Sequence, residues 1–280
     1  MKMPNPLSYV EDFDHGPGGW VRVVDNFAPP AALPIKDGVV RCQGPWWVDY
    51  NHAPPGGGYL QLLMCLVTCG ASTEAVREVA GLNRFTSGKY STDFTQAKIT
   101  LRVRGELETA GTKLSLLVQG SQGGLCSGWV LTGQTFPVES RWTETTVTAV
   151  PDPEQWTSLG SRHDRTGTYG ERPLLDILAQ VDVNIHIVMF PVKPRPMGPL
   201  SGDPHHLRAG RDYPLWPSSI AQGYVEIDRV QIDFVPQASR ASKSHPPYMK
   251  LISLIITRGL MLFSLFTGIN ASHTAPLFPR

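Results

Sequence analysis

Apolar and polar positions along the chain change period several times, and each change marks an element. Residues 59–68 form a nearly continuous apolar run. Its length and β-branched end predict a strand buried on both faces, although a short helix also fits. From residue 97 the period becomes two. Ile99, Leu101 and Val103 alternate with Thr100, Arg102 and Arg104, which places one apolar set on one sheet face. Further strands are predicted at 112–119, 128–135 and 142–150, separated by turns at 108–111 and 120–124. Val181, Val183, Ile185 and Ile187 alternate with Asp182, Asn184 and His186, and 224–234 supplies the last strand. Near the start, 9–14 and 20–24 read as strands around the turn His15-Gly16-Pro17-Gly18-Gly19. Helical character is confined to 71–80, where it is weak, and to 173–180, which has Pro173 in its first turn.

Short strands at spacings of about 8–15 residues predict an all-β antiparallel sandwich or barrel. Composition agrees. Pro (25) and Gly (27) make up nearly a fifth of the 280 residues, yet an apolar fraction of 41% argues for a packed, loop-rich chain and against disorder. Charged residues are 18% and the net charge is +1, so neither a nucleic-acid partner nor an acidic tail is expected. Cys42, Cys65, Cys69 and Cys126 have neither redox-pair nor zinc spacing and are expected as free, partly buried thiols. Residues 1–20 carry no apolar signal core, so a cytoplasmic location is expected.

Three motifs resemble the galactose-binding-like β-sandwich, the jelly roll of several carbohydrate-binding modules. They are Phe13-Asp14-His15-Gly16 with Gly19-Trp20, Arg141-Trp142-Thr143-Glu144, and the closing Ile227-Asp228-Arg229-Val230-Gln231-Ile232. The resemblance spans about residues 9–235. It implies an opening strand near the closing one and suggests a structural calcium ion there, with Glu11, Asp12, Asp14 and Asp228 as candidate oxygen donors. The competing reading of these acids is that they cap strand ends in water. The domain is expected over 1–236, with one or two short helices.

Three clusters carry candidate binding chemistry. Pro45-Trp46-Trp47-Val48-Asp49-Tyr50-Asn51-His52 joins flat aromatic faces to groups that orient hydroxyls, as a sugar site requires. Neighbouring strand residues point to opposite faces, so Trp46 and Trp47 are not expected to share one platform. Arg162, His163, Asp164, Arg165 and Tyr169 lie on a glycine-bounded loop that reads equally well as a ligand rim or as a solvated loop tied by its own ion pairs. His205 and Arg211 belong to a long Pro-rich loop, 191–222, where a bracing role is expected before metal binding. The sharper expectation is that both loops meet the aromatic run at one rim.

The expected function is non-catalytic binding of a carbohydrate or another polyhydroxylated ligand. A glycan-active hydrolase or lyase would instead need two facing carboxylates about 5–10 Å apart. A protein–protein interaction module would show a flat apolar patch. Residues 237–248 read as a linker, and 249–280 as an apolar tail. The window 251–269 would make a helix about 28 Å long, interrupted by Arg258 at a cost of roughly 2.5–3.5 kcal/mol in a bilayer. It reads either as a tail anchor with the sandwich on the cytoplasmic side or as an appendage outside the domain.

Overall fold

Period-two segments dominate the chain, and in the computed structural model they pair into two antiparallel sheets. The structure describes residues 6–24, 29–49, 59–162, 167–193, 195–199 and 220–236. In chain order the strands are β1 Ser8–Glu11, β2 Trp20–Arg22, β3 Ile35–Lys36, β4 Val39–Gln43, β5 Val48–Asp49, β6 Tyr59–Val67, β7 Lys98–Glu108, β8 Lys113–Gln122, β9 Leu125–Leu131, β10 Thr143–Thr148, β11 Trp156–Ser158, β12 Asn184–Val192 and β13 Gln222–Asp233. The first sheet runs β10-β7-β13-β4-β3 with β1 beside β13. The second runs β11-β9-β8-β12-β6-β2 with β5 beside β6. Among the described residues three short α-helices complete the all-β sandwich: α1 Glu74–Ala80, α2 Arg84–Ser87 and α3 Leu174–Ala179.

Alternation fills the space between the sheets. Ile99, Leu101 and Val103 of β7 and Val225 and Ile227 of β13 meet Leu116, Val118, Ile185 and Ile187 of the second sheet in one buried cluster. The apolar run 59–68 is a strand, and both its faces are covered, as its lack of alternation predicts. Ile187 pairs with Met64 and Val188 with Leu62, so Leu63 is the extra residue of a bulge. That bulge sends both Leu63 and Met64 into the core, while Leu60 and Leu62 join an outer cluster with Leu117, Val130, Leu159, Val188 and Phe190. α1, capped by the Thr73 side chain, lays Val76 and Ala80 on Val21 and Cys65 of the same outer face.

Several elements depart from the sequence reading. The strand expected at 128–135 begins at Leu125, because Gly123 and Gly124, both at positive φ, close a two-residue hairpin where a longer loop was expected. β3, β5 and β11 are too short to impose a visible period, and the five-residue β4, whose Val40 and Cys42 alternate inward with Arg41 and Gln43 outward, is a further strand that the reading did not include. α2 lies outside both stretches with predicted helical character, and Asn83 accepts from the Thr86 amide at 3.0 Å to start it. All four cysteines are free, and burial pushes the Cys42 and Cys65 thiols up to about 12.

The opening motif turns out to be structural. Gly19 lies at φ +98°, and a Cβ there would sit 2.6 Å from the Asn83 Cα, so only glycine lets the turn close on the α2 cap. The Glu11 carboxylate, 1% exposed, is gripped by Arg84 through Nε at 2.9 Å and through Nη2. It also accepts from the Phe13 amide and the Tyr9 hydroxyl, and Tyr9 in turn accepts from Trp20 Nε1 at 3.1 Å.

On the outer face of the first sheet Glu226 accepts from Arg41 Nη1 at 2.7 Å and from Arg104 Nε at 2.6 Å. Those guanidiniums stack on Tyr224 and Trp142. Burial pushes the Glu226 carboxyl up, but the hydrogen bonds and charges of Arg104 and Arg41 outweigh it and hold the group below its ordinary value. A carboxyl depressed in the folded state adds stability above its unfolded pKa and loses it as the pH falls through the folded value. Both arginines are substantially exposed, so the effect is modest. Glu226→Gln is expected to cost about 1 kcal/mol at neutral pH. In urea titrations across the acid range, the gap to the wild type should close as the pH falls.

The chain divides into Met1–Val235 and Pro236–Arg280. The linker and apolar tail expected beyond residue 236 lie outside the described residues. Among the described residues no helix is long and apolar enough to cross a membrane.

Candidate functional site

The outer face of the second sheet carries a cavity of about 140 Å³. Its apolar floor is Leu60 and Leu62 of β6, Leu117 of β8 and Val23 just beyond β2. The polar wall draws on distant parts of the chain. Asn184 and Gln119 are cross-strand partners on β12 and β8, and His186 lies two residues along β12, opposite Leu117. Gln119 pairs on its other side with Gly128 of β9.

β5 brings in Asp49 by pairing Val48 and Asp49 with Gln61 and Leu60. Arg162 and Tyr169 arrive from the segment after β11. The Cys126 amide donates to the Thr168 carbonyl, and the Gly170 amide donates to the Cys126 carbonyl, each at 2.9 Å. This stitch lays residues 168–170 along β9 and points the Tyr169 ring over Gly128.

The charged pair at the centre spans 113 residues of sequence: Arg162 Nη1 lies 3.4 Å from Asp49 Oδ2. Arg162 is 8% exposed and Asp49 1%, so the attraction operates away from water. The guanidinium carbon also stands 5.7 Å from the centre of the Tyr169 ring. The Tyr169 hydroxyl accepts from Gln119 Nε2 at 2.7 Å. Burial, reinforced by the charges of Cys126 and Asp49, pushes the phenol well above its ordinary value, against the opposing pull of Arg162 and Gln119. It therefore stays protonated at neutral pH. Asn184 Oδ1 is buried without a hydrogen-bond donor. Chemically, the site offers a neutral phenol, amides and a compensated ion pair over an aliphatic floor. Such a surface orients hydroxyl groups.

Gly128 holds this geometry open. A Cβ at Gly128 would stand 2.4 Å from the Tyr169 hydroxyl and 3.0 Å from Leu159 Cδ1. Gly128→Ala is expected to push the phenol off Gln119 and cost about 1–3 kcal/mol, as overpacking does. Thermal melting checks the stability, and the near-ultraviolet tyrosine signal should change with it.

The structure gathers Asp49, Arg162 and Tyr169 from the candidate residues into this one cavity. Trp46 does not join them: it is buried in the core between the sheets, while Trp47 packs on the outer cluster with Val23. Strand alternation accounts for the division. Tyr50, His52, His163, Asp164, Arg165, His205 and Arg211 lie outside the described residues. Sequence reasoning missed Gln119, Asn184 and His186 as site residues. The alternation through β12 does place Asn184 and His186 on one face, but it gives no sign that this face lies under a covering layer.

Two of the carboxylates considered for calcium, Glu11 and Asp228, form ion pairs. Glu11 is bound by Arg84, and the exposed Asp14 donates its amide to Asp12 Oδ1. Asp228 sits in the β13 bulge with Oδ2 2.7 Å from Arg102, and burial outweighs that arginine to hold its carboxyl above the ordinary value. Among the described residues no three His, Cys, Asp or Glu side chains stand where they could hold one metal ion.

No protein-family model matches the chain, and no curated protein does. Among solved structures, the L4b domain of human laminin alpha-2 is similar over 52% of this chain, with 13% identity and a TM-score of 0.26. The chain spans 62% of that domain, less than two thirds of its length. Apo Crh5 transglycosylase is similar over 84% of this chain and 88% of its own, with 11% identity and a TM-score of 0.28. At TM-scores this low, neither likeness bears on function, and the β-sandwich stands on its own strand pairing.

Proposed function

We propose that this chain is a galactose-binding-like jelly roll that binds a carbohydrate or similar polyhydroxylated ligand, without transforming it, in the cavity of the second sheet. The observation that carries the reading is the convergence of Arg162, Asp49, Tyr169, Gln119 and Asn184 on one apolar-floored cavity. Mixed donors and acceptors over an aliphatic surface match the two kinds of surface a sugar ring presents. The pairing of β1, which leads into the opening motif, with β13, which carries the closing one, supports the kinship.

The cavity is smaller than the roughly 300–1,000 Å³ typical of drug-sized ligands, which favours one ring or one chain end. A glycan-active enzyme would need a second carboxylate facing Asp49. Among the described lining residues Asp49 is the carboxylate present, and it is engaged with Arg162.

A glycan array probed with the full chain tests the reading. Neutral saccharides should be retained by the wild type. Gln119→Ala and Asn184→Ala should each weaken binding about tenfold, the worth of one hydrogen bond in a dry site. If the folded wild type retains no saccharide, the reading fails.

A further inference from the structure

Three guanidiniums stand together on the outer face of the first sheet. Arg41 of β4 and Arg104 of β7 flank Glu226 in the register, and both donate to its carboxylate. Arg102, two residues along β7, donates to Asp228 Oδ2 at 2.7 Å. Each cation is also held against an aromatic ring. Arg41 lies 3.6 Å from the centre of the Tyr224 ring, and Arg104 and Arg102 lie 4.6 and 5.1 Å from the centre of Trp142. A guanidinium carries five N–H groups. Among the described residues each of these three gives one to a carboxylate, so most of their donors remain for a ligand. Layering decides what that ligand meets. The three arginine side chains are 47%, 45% and 40% exposed, whereas Glu226 and Asp228 beside them are 11% and 17% exposed. At contact distance the face presents N–H donors, with the carboxylates covered.

At longer range the charges balance. Exposed Glu144 and Glu106 stand opposite Arg102 and Tyr224 in the register, and Arg229 lies beyond Arg102 with Nη2 on Gln231. With Glu226 and Asp228 they set four acids against four arginines. A nucleic acid or a charged membrane is recruited by an extended cationic field, which a balanced face does not make. What it can hold is a group small enough to touch the donors alone. Tetrahedral oxyanions accept several N–H bonds at once, and arginine forks match them. We propose that Arg41, Arg102 and Arg104 form an oxyanion site, and that its occupant is an isolated sulfate or phosphate monoester group. Glu226, Asp228 and the two rings fix the guanidiniums beforehand, so binding costs little further side-chain freedom. The site lies on the other sheet from the cavity and does not depend on how that cavity is read.

Methyl sulfate and methyl phosphate carry the group with almost nothing attached, so they probe the site without knowledge of the natural ligand. The full chain is titrated with each at constant ionic strength, with chloride as the control, while the arginine Nε–Hε resonances are followed by NMR. Saturable shifts are expected at Arg41, Arg102 and Arg104, with a dissociation constant of roughly 1 mM for at least one ester. Arg102→Lys and Arg104→Lys keep the charge and lose the fork, and each should weaken binding about tenfold. Amide shifts of β7 and β13 in the unliganded variants show whether the sheet is intact.

Binding of one ester but not the other supports the site and tells a sulfated source from a phosphorylated one. Shifts that rise linearly with concentration, as with chloride, overturn the proposal, and the wild type decides this even where a variant fails to fold. Undiminished affinity in a folded Arg102→Lys, Arg104→Lys double variant overturns it as well, because the response would then be to charge and not to the forks.

Discussion

Arg84→Ala is expected to lower the stability of the sandwich by about 3–5 kcal/mol, the cost of removing one partner of a buried ion pair. For a domain of this size that corresponds to a fall in melting temperature of roughly 10 °C. The size follows from an asymmetry in the pair. Arg84 is partly exposed and could regain water if it lost its partner, whereas Glu11 is almost wholly buried and could not. Stripped of Arg84, the Glu11 carboxylate would keep only the Phe13 amide and the Tyr9 hydroxyl. Arg84 also donates to the carbonyls of His15 and Gly16, so the turn before β2 loses its tie to α2 in the same step. The next residue, Phe85, anchors an aromatic cluster through Tyr9 at 5.2 Å and Phe94 at 6.4 Å, and a loosened α2 would disturb it. Glu11→Gln should cost less, because the guanidinium left behind can turn to solvent. Urea denaturation of both variants checks the order. A cost for Arg84→Ala below that of Glu11→Gln would show that desolvation of Glu11 does not control this pair.

That pair also shows where the sequence is readable and where it is not. Glu11, beside Asp12 and Asp14, looks from its neighbours like part of an oxygen cluster for a cation. The residue that claims it lies 73 positions away in a helix of four residues, and no local pattern announces the contact. Features set by period two were legible. The inward set of β7, the two covered faces of β6 and the separation of Trp46 from Trp47 all follow from alternation within a few residues. The helices at 74–80 and 174–179 were legible from their spacing and flanking residues.

The candidate site was only half legible, for a physical reason. Polar residues at alternate positions in β12 normally mean a face turned to water. Here β5 and the segments carrying Leu159, Arg162 and Tyr169 cover that face, so Asn184 and His186 become the wall of a cavity. Whether a second layer folds over a sheet depends on contacts between residues far apart, such as Asp49 with Arg162. Short-range periodicity carries no record of those.

The second large effect belongs to that contact. Arg162→Ala is expected to cost about 3–5 kcal/mol at neutral pH and to abolish saccharide retention. Asp49, 1% exposed, would lose this guanidinium while staying buried beside Leu60 and Leu62. The loss is therefore mostly the penalty on Asp49 rather than the worth of the attraction itself, and a double-mutant cycle separates the two. If the penalty dominates, adding Asp49→Ala to Arg162→Ala should recover a large part of the stability, because the buried carboxylate is then removed along with its guanidinium. Saccharide binding should not return in the double variant, since the guanidinium proposed to orient the ligand is still missing. Stability that recovers while binding does not is the signature of a pair maintained for recognition. Additive losses in the cycle would instead make Arg162 and Asp49 independent packing elements, and the cavity would lose its polar centre as an explanation of function.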